Sequence, residues 1–322
     1  MAIYLDAMGG DNAPLDIVRG ALLAQKAVQS EIVLLGQKNA IEGALAEAGG
    51  GGFAVVECAE SIEMGEEPAQ AVRRKKGSSI VRGCQLIRGS EDSAFVSAGS
   101  TGALLAAGLT QTGRLPGMQR AALGVVLPAA KPLLLLDAGA NADLKPEALV
   151  QIAYAGIAYM RALYGLESPK AGLANIGAEA AKGSAQSKSY FSALSEGLSG
   201  FIGNIEPRDA IAGACDVLCC DGFTGNIILK TLEGAFAFAL EGFAALPGLG
   251  AEAKASLSVF RESLDPASLG GAPFLGLDGC LIKAHGASGP QAIASAVRQA
   301  SLFLENGALR RLKADLAFRT GA

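Results

Sequence analysis

The stretch AIYLDAMGGDNAPLDIVRGALLAQKAVQSEIVLLG, residues 2–36, decides the fold. Residues 2–6 are a short apolar run closed by Asp6. Leu15 to Val28 carries apolar residues at helical spacing, and residues 31–36 are apolar again. Outward from this unit the same alternation continues. A helix is predicted near 38–48, a strand at 53–57, helices across 68–89 and a strand at Ala94–Ser97. Further strands are predicted at 123–128, 132–137, 170–177, 200–204 and 215–221, with helices over 146–164, 224–245 and 289–306. Strands alternating with helices predict an α/β fold, a mostly parallel sheet covered by helices on both faces. The chain, residues 1–322, reads as a single domain.

One segment breaks the alternation. Phe236, Phe238, Leu240, Phe243 and Leu246 precede a Pro-Gly break at Pro247-Gly248, and a second helical stretch follows. This predicts a helical hairpin at about 234–264, inserted before the last strand. It reads either as a core or dimer-interface hairpin, or as an apolar tip that meets a membrane surface or an acyl chain.

Composition narrows the function. The 322 residues are 50% hydrophobic with a net charge of −4, which excludes a disordered chain. There is no basic excess to release counterions from a nucleic acid, so no nucleic-acid partner is expected. The six cysteines form no C-x-x-C pair, and with one histidine the chain offers no zinc spacing. A reducing, cytoplasmic setting follows, with no metal and no cofactor. The N-terminus lacks the basic and apolar regions of a signal peptide.

In an open α/β sheet ligands bind beyond the carboxyl ends of the strands. Nearly every predicted strand here ends in glycine with Asn, Ser, Thr or Asp. The first is followed by Asp6 to Pro14, including Gly10 and Asp11. The strand at 94–97 is followed by Gly99-Ser100-Thr101-Gly102, and the strand at 132–137 by Gly139-Ala140-Asn141. Lys182-Gly183, Asn204 and Gly222-Phe223-Thr224-Gly225-Asn226 follow later strands. Glycines permit close backbone approach, and N–H groups opening a helix attract anions. Gly99–Gly102 alone reads first as an ordinary helix cap, with Ser100 or Thr101 as the capping residue; several such loops converging on one edge point to a phosphate or carboxylate site, with Gly99–Gly102 its best single candidate. No Gly-Lys dipeptide occurs, so no Walker loop is present. His285 is the only histidine; it is either structural or a proton-transfer group. A lysine, Lys283, lies two residues before it. Lys182 and Lys230 flank glycine-rich turns, where a surface lysine is the plain reading. Arg73-Arg74-Lys75-Lys76 is either a solvated helix face or a dock for an acidic partner.

LDAMGGDNAP (5–14), SAGSTGALLAAG (97–108), LLDAGANADLKPE (135–147), IGNIEPRD (202–209), CDGFTGNIILKTLEG (220–234) and IKAHGASG (282–289) together resemble the bacterial phosphate acyltransferases of the PlsX type. The motifs fall in order over nearly the whole chain. The resemblance implies an isocitrate dehydrogenase-like, phosphotransacetylase-like fold. It also implies transfer of a fatty acyl group from acyl-carrier protein to inorganic phosphate. The acyl phosphate product would feed a membrane glycerol-3-phosphate acyltransferase in phospholipid synthesis. It implies homodimers loosely associated with the membrane surface. On this reading Gly99, Ser100, Thr101, Gly102, Asn141 and Asn204 hold phosphate, and Asn226 orients the reactants. Lys182 supplies charge to the oxyanion and His285 moves the proton. Asp6, Gly10, Asp11 and Asp137 position the loops, and Arg73–Lys76 with Lys254 and Arg261 dock the carrier. The chain departs from the family pattern at Ala178 and Ser184, where an acidic residue and an Asn are usual. Pro207 replaces a usual Gly and Ala287 a usual Ser. Two rival readings stand beside this one: a serine hydrolase using Ser100 and His285, and a non-catalytic scaffold for carrier protein at a membrane surface.

Overall fold

The computed structural model describes residues 1–248, 250–264 and 270–320. Ala2–Asp6 forms β1, Leu15–Gln25 α1, Glu31–Gly36 β2, Lys38–Ala48 α2 and Ala54–Glu57 β3. The helices predicted across 68–89 are Pro68–Arg74 (α3) and Ser79–Leu86 (α4). The break arises because Ser78 caps the second helix, its Oγ accepting from the Val81 N–H, while Gly77 N donates to Glu60. Ser93–Ser97 is β4. Thr101–Ala107 is α5, and it runs into a π-helical turn at Gly108–Thr112. Then come Ala122–Leu127 (β5), Leu133–Leu136 (β6), Pro146–Tyr164 (α6), Ala171–Ala174 (β7), Ala185–Gly197 (α7), Phe201–Ile205 (β8), Pro207–Ile211 (α8) and Val217–Cys219 (β9). The hairpin is Gly222–Ala244 (α9) and Ala251–Leu264 (α10). Leu249 in its turn and residues 265–269 after it lie outside the described residues. Two strands follow the hairpin, Ala272–Leu275 (β10) and Cys280–Lys283 (β11), and then Pro290–Glu305 (α11) and Ala308–Thr320 (α12).

The strands form one 11-stranded sheet in the order β3-β2-β1-β4-β11-β10-β5-β6-β9-β7-β8. Pairings are parallel except β11 with β10, β10 with β5 and β5 with β6, which are antiparallel. The sheet is thus two parallel groups running in opposed directions, joined through β10 and β5. β10, with Pro273 in it and Gly270 and Gly271 before it, was not among the expected strands, nor was α12 among the helices.

Side chains alternate between the two faces, as a pleated strand requires. Ile3, Leu34, Ala94, Val96, Leu134 and Leu136 join a core with α1, α2, α6, α11 and α12. Val33, Leu35 and Phe95 point the other way, into a core with α3, α4 and α5. Leu133, Leu135 and Leu218 meet Ala210 and Leu229 of α8 and α9 on that second face. Every strand of the central region is therefore buried on both sides, which explains its unbroken apolar runs.

Candidate active site

Three loops pack together beyond β1, β4 and β11. Asp6, fully buried at the end of β1, accepts from Ser97 Oγ at 2.6 Å and from Met8 N at 3.1 Å. Ser97 Oγ in turn accepts from Gly99 N at 3.0 Å, so one carboxylate fixes both loops. Burial holds the Asp6 carboxyl above its usual range, against the lowering effect of these hydrogen bonds. Gly9 and Gly10 are required by proximity. A Cβ on Gly9 would stand 2.7 Å from Gly99 N, and one on Gly10, at φ +112°, would press on Ala98 and the Gly286 carbonyl. Asp11 N donates to Gly286 O at 2.8 Å and Ala284 N to Ser97 O at 2.9 Å.

A second cluster forms between β6 and the start of α9. Asp137 Oδ1 accepts from Leu123, Gly139 and Ala140 N–H groups, and Oδ2 from Asn141 N and Nδ2, all within 3.1 Å. Its burial nonetheless raises the carboxyl above the usual range. Asn141 O accepts from Gly222 N at 2.7 Å, and Asp221 caps α9 through Thr224 N at 2.8 Å. Gly225 lies against the Asp137 carbonyl so closely that a Cβ would come to 1.8 Å of the oxygen. These contacts aim the first turns of α9, with Asn226 and Lys230 on one face, at the first cluster.

The two clusters line one cleft of about 1030 Å³. Asp11, Thr101, Lys283, His285 and Ser288 stand on one wall and Gly139, Asn226 and Lys230 on the other. Leu123, Val125, Phe236, Leu240 and Leu264 make its apolar part. That loops from opposed strand groups reach one cleft fits the sheet twist, which accumulates to about 80–100° over the strand steps from β4 to β6.

Not every expected site residue lies there. Lys182 and Asn204 do not line the cleft, because β7 and β8 occupy the far edge of the sheet beyond β9. Lys182 is half-exposed and pairs with Glu179 at 3.9 Å. Asn204 is buried and donates to Glu179 O at 2.8 Å. Asn141 is committed to its own loop, its Nδ2 donating to Ala121 O and Asp137. Within Gly99–Gly102 only Thr101 lines the cleft. Ser100 is a helix cap, its Oγ accepting from Ala103 N. Of the basic run, Arg73, Arg74 and Lys76 are exposed, whereas Lys75 is held by Glu66 at 2.6 Å and Ser61 O at 2.7 Å. Arg261 lines the outer cleft; Lys254 lies exposed on α10.

His285 Nδ1 accepts from Ala287 N at 3.3 Å. A neutral imidazole whose Nδ1 is an acceptor carries its proton on Nε2. That tautomer differs from a serine-hydrolase triad, where Nδ1 donates to a carboxylate. All six cysteines are free and buried, and burial pushes Cys58 up to about 11 and Cys84 to about 12. Such thiols stay protonated near neutrality and are poor nucleophiles.

Lys283 and Ser288 are the residues that the reading of the sequence left without a role. Lys283 ends a strand that is otherwise an apolar run, Cys280-Leu281-Ile282. A charged residue inside such a run is itself the signal.

The model of the fatty acid synthesis protein family matches residues 1–311. A phosphate acyltransferase of Pelotomaculum thermopropionicum is 43% identical over 98% of this chain and 95% of its own length. One from Brevibacillus brevis is 43% identical over 95% and 94%. Among solved structures, a phosphotransacetylase from Streptococcus pyogenes superposes with a TM-score of 0.65 at 16% identity, covering 94% of each chain. A branched-chain phosphotransacylase from Enterococcus faecalis gives 0.56 at 16% identity, over 94% of this chain and 99% of its own. The two structures share the fold.

Proposed function

The chain belongs to the fatty acid synthesis protein family and is an acyltransferase that moves an acyl group to phosphate; from that premise we propose that its donor is acyl-acyl-carrier protein and its product an acyl phosphate for phospholipid synthesis. The observation that carries this reading is that one cleft is lined by Thr101, Asn226 and His285 together with the apolar side chains of Leu123, Val125, Phe236 and Leu240. It suits an anion beside a thioester with a fatty tail.

Phosphate rests against the Thr101 loop, and one of its oxygens attacks the thioester carbonyl carbon. The carbonyl oxygen becomes an oxyanion, to which the Asn226 amide donates; that side chain makes no hydrogen bond to the described residues. A single donor of this kind is typically worth about a hundred- to a thousandfold in rate. When the C–S bond breaks, the electron pair leaves on the phosphopantetheine sulfur; the His285 Nε2–H donates a hydrogen bond to that sulfur, and the proton shed by the attacking phosphate completes the thiol. Asp6, Asp137 and Asn141 hold the loops in register rather than touching the reactants. Lys182, paired at the sheet edge, is not assigned the oxyanion charge.

The carrier docks on Arg73, Arg74 and Lys76. Support comes from the position of α3, whose first residue Pro68 packs on Gly102, so the basic end lies one short helix from the loop. The α9–α10 hairpin serves the homodimer and the membrane surface, where a downstream glycerol-3-phosphate acyltransferase receives the product. Phe238 (81% exposed), Phe243, Leu246 and Val259 give it an apolar exterior, while no described helix is long and apolar enough to cross a membrane.

The test is incubation of the protein with an acyl-carrier thioester with and without inorganic phosphate, trapping acyl phosphate as its hydroxamate. Thioester loss that needs phosphate and yields hydroxamate is expected. Loss to free fatty acid at the same rate without phosphate would refute the reading.

A further inference from the structure

We propose that the Lys283 ammonium and the Ser288 hydroxyl form the acceptor pocket of the cleft, binding inorganic phosphate directly. The inference rests on the acyl-to-phosphate reading above and gives it the cation that Lys182 does not provide.

Lys283 is only 8% exposed, yet it lines the cleft. Its Nζ donates to Ala98 O at 3.4 Å and to the Ala284 carbonyl, and among the described residues it has no carboxylate partner at ion-pair distance. The other lysines considered for the site are neutralised: Lys230 by Glu233 at 2.7 Å and Lys182 by Glu179. A buried ammonium without a counter-ion is costly unless an anion completes it. The two carbonyls take two of its three protons and leave the third. Ser288 is the second observation. It is 7% exposed, lines the same cleft, and its Oγ has no hydrogen-bond partner among the described residues. A cation and a hydroxyl, both buried and both lacking complement, belong to residues that line one cleft. A tetrahedral oxyanion supplies acceptors for each at once.

The groups around Lys283 set its charge. Asp11 and Asp6 from the β1 side favour the ammonium, Lys230 from α9 opposes it, and His285 follows on the same loop. Burial outweighs the carboxylates and brings the lysine down to about 8. Anion affinity should therefore fall as pH rises through that value.

The experiment measures Michaelis constants for phosphate and for the acyl thioester in the native protein, Lys283→Met, Lys283→Arg and Ser288→Ala. Lys283→Met should raise the phosphate constant at least tenfold, with the thioester constant within about twofold. Lys283→Arg should recover part of the loss, and Ser288→Ala should raise the phosphate constant severalfold. Native-like phosphate constants in folded Lys283→Met and Ser288→Ala would overturn the inference while leaving the function intact. Absence of phosphate-dependent turnover in the native protein would instead overturn the function. Should Lys283→Met fail to fold, sulfate competition in the native protein decides. Sulfate keeps its charge across this range, so its inhibition should weaken from pH 7 to 9 by tenfold or so; flat inhibition refutes the lysine.

Discussion

Gly225 and Gly234 lie on the same helix, α9, and the same substitution should move them in opposite directions. In a helix, Ala is favoured over Gly by about 0.8–1.0 kcal/mol. At Gly234 a Cβ meets nothing within 4 Å, so Gly234→Ala should stabilise by about 0.5–1 kcal/mol. At Gly225 the Cβ would stand 1.8 Å from the Asp137 carbonyl oxygen and 3.0 Å from Cys220 Sγ. Ordinary contact begins near 3.4 Å, so two backbone segments must part by about 1.6 Å. No flexible side chain can absorb that shift. Overpacking typically costs about 1–3 kcal/mol, more where backbone is the obstacle, so it outweighs the helical gain by about 1–2 kcal/mol or more. For a chain of this size the melting temperature should fall by about 1.5–3 °C. Because α9 then retreats from the β6 loop, Asn226 retreats with it, and a misplacement of that order costs about a hundredfold in rate. Thermal denaturation and acyl-phosphate formation of both variants give the answer. A Gly225→Ala protein with native melting temperature and turnover would refute the packing of α9 on Asp137 and the placement of Asn226.

Ser100→Ala should lose a helix cap, about 0.5–2 kcal/mol of stability, yet keep turnover within a few fold; a dead but folded variant would restore Ser100 as a nucleophile. Asp6 and Asp137 are both raised by burial from the usual 3.8, so the folded state binds more protons than the unfolded one between that value and their folded pKa values. Their contribution to stability therefore falls as pH rises through this window and is relieved in mild acid. Denaturant midpoints of the native protein and Asp137→Asn across that window should differ in slope, and equal slopes would contradict the burial effect. Charge reversal at Arg73 and Arg74 should raise the Michaelis constant for the carrier severalfold at low salt and little at high salt, whereas Lys75, tied to Glu66, should matter less. An unchanged low-salt constant would move the dock elsewhere.

The strand-helix alternation was legible because apolar periodicity reports local burial, and the double-sided core explains the unbroken runs at Leu133–Leu136 and Val217–Cys219. Strand order was not legible. Glycine-rich turns after β7 and β9 look alike in sequence, but the sheet puts β9 beside β6 and sends β7 outward, which separates Lys182 from Asn226. The reversal of direction across β10 and β5 was hidden for the same reason: pairing is a long-range choice. Pro273 in β10 disguised the strand that makes the reversal. The near meeting of the Gly9, Gly99 and Gly286 loops was accessible, because β1 and β4 end in the same glycine-and-acid or glycine-and-hydroxyl pattern. The role of Lys283 was not legible because it lies in what surrounds the residue, a buried cleft wall where no described carboxylate reaches it at ion-pair distance, and no spacing in the chain records that.

The most direct measurement is the anomalous-scattering position of arsenate, a phosphate analogue, in crystals of the protein. The arsenic peak is expected in the cleft, within contact of Thr101, Lys283 and Ser288 and opposite Asn226. A fully occupied peak beside Lys182 and Asn204 at the sheet edge, with the cleft empty, would contradict the assignment of this cleft as the place where acyl group and phosphate meet.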